Sequence, residues 1–380
     1  MRIGAVTTGR ADYAILRPLL RELAADPAFD IALLVTGAHG DEIARDKFRQ
    51  VIDIPCVSDD DDPRALSQIM AKITEGVGKA LADSRPDLIV LAGDRYEMLA
   101  AAQAALPFAQ PLVHLHGGEL TACAFDDAIR HALTKLSHLH FVAHDEAANR
   151  LVRMGEEPWR VTVMGAPSLD NIRHLRHWPR EEIEARLGIP RGAEFILATF
   201  HSTTLQYNST MNEAEEWLEA LGTRPEWIVL TGANADTYGR RLNDRYRAFA
   251  ESHPRCRYHH SLGTEAYIAA LSSAKLMCGN SSSGLIEAPS FRLPVVDVGR
   301  RQENRLRAAN VVHAEATFSA VKEAMDLAGS LDFRARLSAL VNPYDRGGAA
   351  RLFHSRLSTV CLGPDLVIKK FFDTKEKACE

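Results

Sequence analysis

Short apolar runs alternate with longer amphipathic stretches through most of this chain, and that alternation constrains its fold more than any other feature. Residues 3–7, 31–35, 88–91, 112–115, 140–143 and 161–164 read as strands. Between them lie helix-like stretches such as 14–25, 65–83 and 129–137. Apolar runs without polar alternation suit strands covered on both faces. Strand and helix in turn imply right-handed βαβ units and a parallel sheet.

The pattern pauses over 168–189, where His174, Arg176, His177, Trp178, Pro179 and Arg180 form a polar, proline-containing stretch. A short helix over 180–187 follows, closed by Gly188 and Pro190. A second series then begins, with strands expected at 195–199, 227–230, 257–259, 276–278 and 294–298. We expect an α/β protein of two Rossmann-like, doubly wound domains, over 1–170 and 171–354, facing a cleft, with 355–380 as a terminal helix and tail. A length of 380 residues suits two such domains. Ligands of open parallel sheets bind beyond the carboxyl ends of the strands, so functional residues are expected there.

Composition narrows the partners. Lys and Arg total 45 against 50 Asp and Glu, a net charge of −5, which argues against nucleic acid. No apolar run approaches the ~20 residues of a membrane helix, so no membrane partner is expected. In the tail, Leu366, Phe371 and Phe372 mix with lysines, which suits a helix packed on a domain better than one lying on a membrane. Six scattered cysteines include no CxxC pair, so neither a zinc knuckle nor a redox dithiol is indicated. The first residues run directly into a strand rather than a signal peptide. A cytoplasmic location is the expectation.

Five segments at strand ends carry chemistry. In Thr7–Tyr13, Gly9 is expected to allow a tight turn and Arg10 to pair with a phosphate, although a plain βα turn would look the same. In 91–97, Asp94 is a general base or a helix cap. In 114–119 and 125–131, His114, His116, Glu119, Asp126, Asp127 and His131 cluster carboxylates and imidazoles as general acid–base work requires, and Asp127 and His131 share a helix face. The spacing matches no zinc pattern, so no metal is expected. In 199–204, His201 is expected to face the cleft. In 278–287, glycines and serines open a helix whose N–H groups suit a diphosphate. There Ser282 and Ser283 are hydroxyl donors, and Glu287, one turn inside, suits ribose hydroxyls. The Gly-Lys-Ser/Thr ending of a Walker A loop and a GxGxxG fingerprint are both missing.

In this order, TTGRADY, GDRYEMLAAA, HLHGGE with FDDAIRHALTKLSHLHF, GAPSLDNI, NADTYGRR, GNSSSGLIEAPSF and VGRRQENRLRA resemble the hydrolysing UDP-N-acetylglucosamine 2-epimerases of bacterial sialic-acid and related nonulosonate pathways. The resemblance runs from Arg2 to about Leu352. It implies a glycosyltransferase-B-like fold, with the sugar on the first domain's side and the nucleotide on the second's. It also implies the reaction: C2 deprotonation, loss of UDP to a glycal-like intermediate, and hydration to N-acetylmannosamine. No cofactor is implied, and a homodimer or homotetramer is.

By the same resemblance Asp94, Glu119 and Asp126 share proton transfer, and His201 stabilises the departing phosphate or relays a proton. Arg10, Ser281, Ser282, Ser283 and Gly284 hold the diphosphate, Glu287 the ribose, and His116 and Asn234 complete the substrate site. Two departures stand out. Some relatives carry Glu where this chain has His116, and many read Pro-Val-Thr-Leu-Glu where it has Ser202-Thr203-Thr204-Leu205-Gln206. A 2,4-diacetamido-6-deoxy sugar, a GDP-linked donor or a non-hydrolysing epimerisation are therefore alternatives.

Overall fold

The structure is a computed structural model describing residues 1–37, 42–56, 60, 62–174, 178–203, 205, 207–234 and 239–373. The first sheet contains β1 (Arg2–Thr7), β2 (Asp30–Val35), β3 (Gln50–Asp53), β4 (Leu88–Ala92), β5 (Leu112–Leu115), β6 (Leu139–Val142) and β7 (Val161–Val163). Their order is β3-β2-β1-β4-β5-β6-β7, all parallel. The second contains β8 (Phe195–Thr199), β9 (Trp227–Thr231), β10 (Cys256–His259), β11 (Leu276–Gly279), β12 (Val295–Val298) and β13 (Val311–Ala314). Their order is β10-β9-β8-β11-β12-β13, again all parallel.

Two of these strands, β3 and β13, fall outside the expected set. Both are edge strands of four residues, and β3 alternates half-buried and exposed positions instead of presenting an apolar run. The central strands behave as expected: every residue of β4, β8 and β11 is buried, as strands covered by helices on both faces must be.

Each sheet reverses its winding once, between β1 and β4 in the first and between β8 and β11 in the second. Such a switch point leaves a crevice at the carboxyl ends of the adjacent strands. Register keeps the rims level: Ala92 pairs with Leu115, and Gly279 with Thr199. The segments beginning at Gly93, His116, Phe200 and Asn280 therefore leave the sheets side by side.

Local signals set the helices. Asp62 caps Pro63–Ser84 by accepting from the Ala65 amide at 2.7 Å, and Pro63 fills the first helical position, where no N–H is needed. That helix buries Ala65, Leu66, Ile69, Ile73, Val77, Ala80 and Leu81, the spacing of a single face.

The domains are tied by chain that crosses twice. Ser168–His174 stays with the first domain, where Asn171 donates to the Ala14 carbonyl at 2.7 Å. Ala349–Ser358 has returned to it: Phe353 and Leu357 share a core with Ile3 and Val90, and Phe353 meets Phe141 edge-on at 4.6 Å. The tail expected as a packed helix forms one turn, Pro364–Val367. The buried Arg160 guanidinium holds it by donating to the carbonyls of Leu366, Asp365 and Ile368 at 2.8, 3.0 and 3.2 Å. Among the described residues no helix is long and apolar enough to cross a membrane.

Candidate active site

The first wall of the cleft grows from β4 and β5. Gly93 turns the chain at φ +81 and its N–H bonds the Leu115 carbonyl at 3.0 Å, which aims Asp94 past the strand end. His114, fully buried, donates from Nε2 to the Gly93 carbonyl at 2.8 Å and stiffens that turn. His116 follows in the left-handed region at φ +61, an uncommon conformation for a residue with a side chain.

Arg130 organises this wall. It projects from Phe125–Leu136, is 4% exposed, and donates to the His116 carbonyl at 3.0 Å, to Thr121 Oγ1 at 2.9 Å and to Asp94 in a close ion pair. Sequence reading assigned it no role, because an arginine inside an amphipathic helix looks like any solvated charge. Asp126 occupies the first turn of the same helix, four residues before Arg130 and on its face. The helix is entered through Ala124, so Asp126 is not its cap. Asp127 accepts from the Thr121 amide at 2.8 Å and lies 3.5 Å from His131 Nε2, the expected pairing along one face.

Glu119 is held from both domains. His116 Nδ1 lies 2.7 Å from its Oε1, and Arg305, from the loop between β12 and β13, reaches across to pair with Oε2. All three side chains are buried. His116 Nε2, also buried, has no hydrogen-bond partner among the described residues. Burial, followed by the nearby charges of Arg130 and Arg305, pushes His116 down to about 4, so its ring is neutral at neutral pH. Burial drives His114 to about 3 and His144 to about 4 in the same way.

The second wall grows from β8 and β11. Gly279 sits at φ +144, and a Cβ there would stand 1.8 Å from the Thr199 carbonyl oxygen, so only glycine lets these strands meet at the rim. Asn280 then clamps His201: its Oδ1 accepts from the His201 amide at 2.6 Å and its Nδ2 donates to the His201 carbonyl at 2.9 Å. His201 Nδ1 accepts from the Asn234 amide at 3.1 Å, which fixes the tautomer with hydrogen on Nε2. The buried Gln302 donates to the Asn280 carbonyl at 2.9 Å.

Ser281 and Ser282 are half-buried at the mouth, and Gly284 packs where a Cβ would meet Val295 Cγ1 at 2.8 Å. The expected helix after the serines is a single turn, Ser283–Ile286, which passes into a tight turn over Ala288–Phe291. Glu287 therefore sits at the junction and not inside a helix, because Pro289 ends the α-helical hydrogen-bond pattern. Ser168 of the first domain donates to the Glu287 carboxylate, and burial raises that carboxyl. Tyr267, which sequence reading missed as an ordinary aromatic in a helix, lies close to Ser283 and Ser281, and burial pushes its phenol up to about 12.

At the end of β1, Gly9 is extended (φ −174), so the expected glycine-only turn is not what forms. The close approach belongs to Gly37, where a Cβ would stand 1.8 Å from the Thr8 carbonyl oxygen. Asp12 ties the segment by accepting from Thr8 N and Thr7 Oγ1, both at 2.8 Å. The helix begins at Arg10, whose side chain lies outside the described residues, as do Arg176, His177, Thr204, Gln206 and 235–238 of the NADTYGRR segment. Among the described residues no group of three or more His, Cys, Asp or Glu is placed to hold a metal ion.

The site thus joins an arginine-clamped acidic wall to a wall of backbone amides and hydroxyls, bridged by Arg305–Glu119 and Ser168–Glu287. Known proteins resemble this chain in sequence and in fold. A GDP/UDP-N,N'-diacetylbacillosamine 2-epimerase (hydrolyzing) from Campylobacter jejuni is 35% identical over 324 residues, 83% of this chain and 84% of that one. A UDP-N-acetylglucosamine 2-epimerase from Neisseria meningitidis is 29% identical over 346 residues, covering 87% and 88%. The crystal structure of a UDP-GlcNAc 2-epimerase from Neisseria meningitidis bound to UDP-GlcNAc superposes with a TM-score of 0.78 at 19% identity, covering 94% of this chain and all of that one. That likeness confirms the two-domain, glycosyltransferase-B-like arrangement. The UDP-N-acetylglucosamine 2-epimerase family model matches residues 21–358, and this chain is a member of that family.

Proposed function

We propose that the cleft performs hydrolysing 2-epimerisation of a UDP-linked 2-acetamido sugar. The C2–H bond breaks, and its electron pair becomes the C1=C2 bond of a glycal. The C1–O bond to the diphosphate breaks in the same elimination, releasing UDP. Water then adds its oxygen to C1 and C2 takes a proton on the opposite face. The observation that carries this reading is the pairing of acids with arginines: Asp94 with Arg130, and Glu119 with Arg305, in a buried wall opposite the serine turn. Proton transfer at a weakly acidic carbon needs positioned acid–base groups, and expulsion of a diphosphate needs donors that stabilise its charge.

In this reading Asp94, Glu119 and Asp126 form the acidic set around proton transfer, each acting on the sugar directly or through a neighbouring side chain. His201, presenting Nε2–H, donates to the departing phosphate. Arg10 and the turn of Ser281, Ser282, Ser283 and Gly284 hold the diphosphate. Glu287 releases Ser168 and accepts from ribose hydroxyls in its place, with His116 and Asn234 completing the substrate site. The reaction needs neither metal nor cofactor.

For the sugar, UDP-N,N'-diacetylbacillosamine is the first reading, because the relative named for it is 35% identical, against 29% for the one named for UDP-N-acetylglucosamine. The second reading is UDP-N-acetylglucosamine, giving N-acetylmannosamine for sialic-acid-type synthesis. The test is steady-state UDP release from each donor, with the GDP-linked diacetamido sugar as a third arm and NMR identification of the sugar. A kcat/KM at least tenfold higher for the UDP-linked diacetamido donor supports the first reading, and the reverse order supports the second. Transfer of the sugar to an added acceptor, or return of an intact UDP-linked epimer, would refute the hydrolysing reaction.

A further inference from the structure

Glu119 has one oxygen on a histidine ring and the other in an ion pair inside the protein. Oε1 faces His116 Nδ1 at 2.7 Å and Oε2 pairs with Arg305. The carboxylate is 2% exposed. Glu119 is thus placed to act through the His116 ring. An ion-paired carboxylate only accepts hydrogen bonds, so the hydrogen of this contact resides on His116 Nδ1. The neutral ring is left with a bare lone pair on Nε2, buried and without a partner among the described residues. Buried polar atoms are rarely left unpaired, and this one belongs to a residue that directly follows β5 at the carboxyl rim of the first sheet.

The backbone repeats the message. His116 is held at φ +61 between its own amide, which donates to the Phe141 carbonyl at 3.0 Å, and its carbonyl, which accepts from Arg130 at 3.0 Å. A strained conformation fixed on both sides serves to aim a side chain. The groups acting on the ring are Arg130 and Arg305, which oppose its protonation, and Glu287 and Asp94, which favour it.

We propose that His116 Nε2 is the base that removes the C2 proton, with Glu119 as its positioning residue and Arg305 as the second domain's hold on Glu119. This rests on the hydrolysing-epimerase reading above. As C2–H breaks, the proton passes to Nε2, the carbon's electron pair forms C1=C2, and the C1–O pair leaves with the diphosphate. The imidazolium is stabilised through Nδ1–H by the Glu119 carboxylate. Arg305 adds the second domain's hold on Glu119 to that of His116, so the base is completed where the two domains meet.

His116→Gly tests this without straining the fold, since glycine adopts φ +61 freely. Its kcat is expected to fall at least ~100-fold, the usual contribution of a positioned base, with UDP affinity within about threefold. Added imidazole should restore kcat at least ~tenfold, with Brønsted dependence on the pKa of substituted imidazoles. Glu119→Gln should lower kcat, yet add less than ~threefold in the His116→Gly background, because it acts through the ring. Wild-type kcat in His116→Gly, or lost activity that imidazole does not recover, overturns the proposal. The ¹⁵N shifts of His116 in the wild-type protein test it without any substrate. A neutral ring with hydrogen on Nδ1 is expected, and hydrogen on Nε2 overturns it. A wild-type enzyme that turns over no UDP-linked amino sugar would refute the reaction and leave that tautomer result standing on its own.

Discussion

Asn280→Ala is the substitution whose cost follows most directly from the geometry. Asn280 is 1% exposed, and its amide satisfies both backbone groups of His201, at 2.6 and 2.9 Å. Alanine removes both partners at once and leaves a buried N–H and a buried C=O unpaired. Each such group costs ~1–3 kcal/mol. Water entering the vacated amide volume offsets part of this, so we expect a net loss of about 2–4 kcal/mol. His201 keeps the Asn234 amide on Nδ1, but with its backbone released its ring is expected to drift. A misplacement of ~1 Å costs ~100-fold in rate. Asn280→Asp separates the terms: it keeps an acceptor for the His201 amide but sets a carboxylate oxygen against the His201 carbonyl, so it should be no better than alanine. Urea unfolding followed by circular dichroism gives the stability, and UDP release gives kcat. Asn280→Ala within 0.5 kcal/mol and threefold in kcat of the parent would refute the view that this amide positions His201.

Three further outcomes follow from the packing. His114, His116, His138 and His144 are all held neutral by burial, with folded pKa values of about 3, 4, 4 and 4 against 6.5 when unfolded. The unfolded chain therefore takes up protons first, and stability should fall as pH drops from 6.5 towards about 4; a flat Tm across that window would contradict it. Glu156, lowered to about 2 while accepting from Lys135, His140 and Lys369, adds stability that is lost from about 4.5 down to about 2, and Glu156→Gln should remove that acid dependence. Gly279→Ala places a methyl 1.8 Å from the Thr199 carbonyl oxygen and should separate β8 from β11 at the rim, abolishing UDP binding in calorimetry while β-sheet content largely survives.

Much of this architecture was legible in the order of the residues, for a physical reason. Strands buried on both faces must be apolar throughout, so β1, β4, β8 and β11 announce themselves, and a parallel doubly wound sheet then dictates which loops meet at the cleft. That rule put Asp94, Glu119, His201 and the 280–287 turn beyond strand ends, where the structure has them, while their proposed roles came from the family resemblance. The edge strands β3 and β13 were not, because half-exposed four-residue strands leave no apolar run. Arg130, Asn280, Tyr267 and Arg305 escaped assignment for a different reason. Each acts through a partner distant in sequence, such as Asp94 for Arg130 and Glu119 for Arg305, and a single sequence carries no distance. Gly9 shows the opposite error: a glycine in the expected place whose backbone any residue could adopt.

The central claim is that this cleft breaks the C2–H bond and releases a free sugar. It is tested most directly in one NMR tube of D₂O containing the purified protein and UDP-N,N'-diacetylbacillosamine, with UDP-N-acetylglucosamine in a parallel tube. The account predicts UDP and a free 2-epimerised sugar carrying deuterium at C2 in at least one of them. A free sugar of unchanged configuration with protium at C2, or UDP-linked epimer accumulating without free sugar, would contradict it.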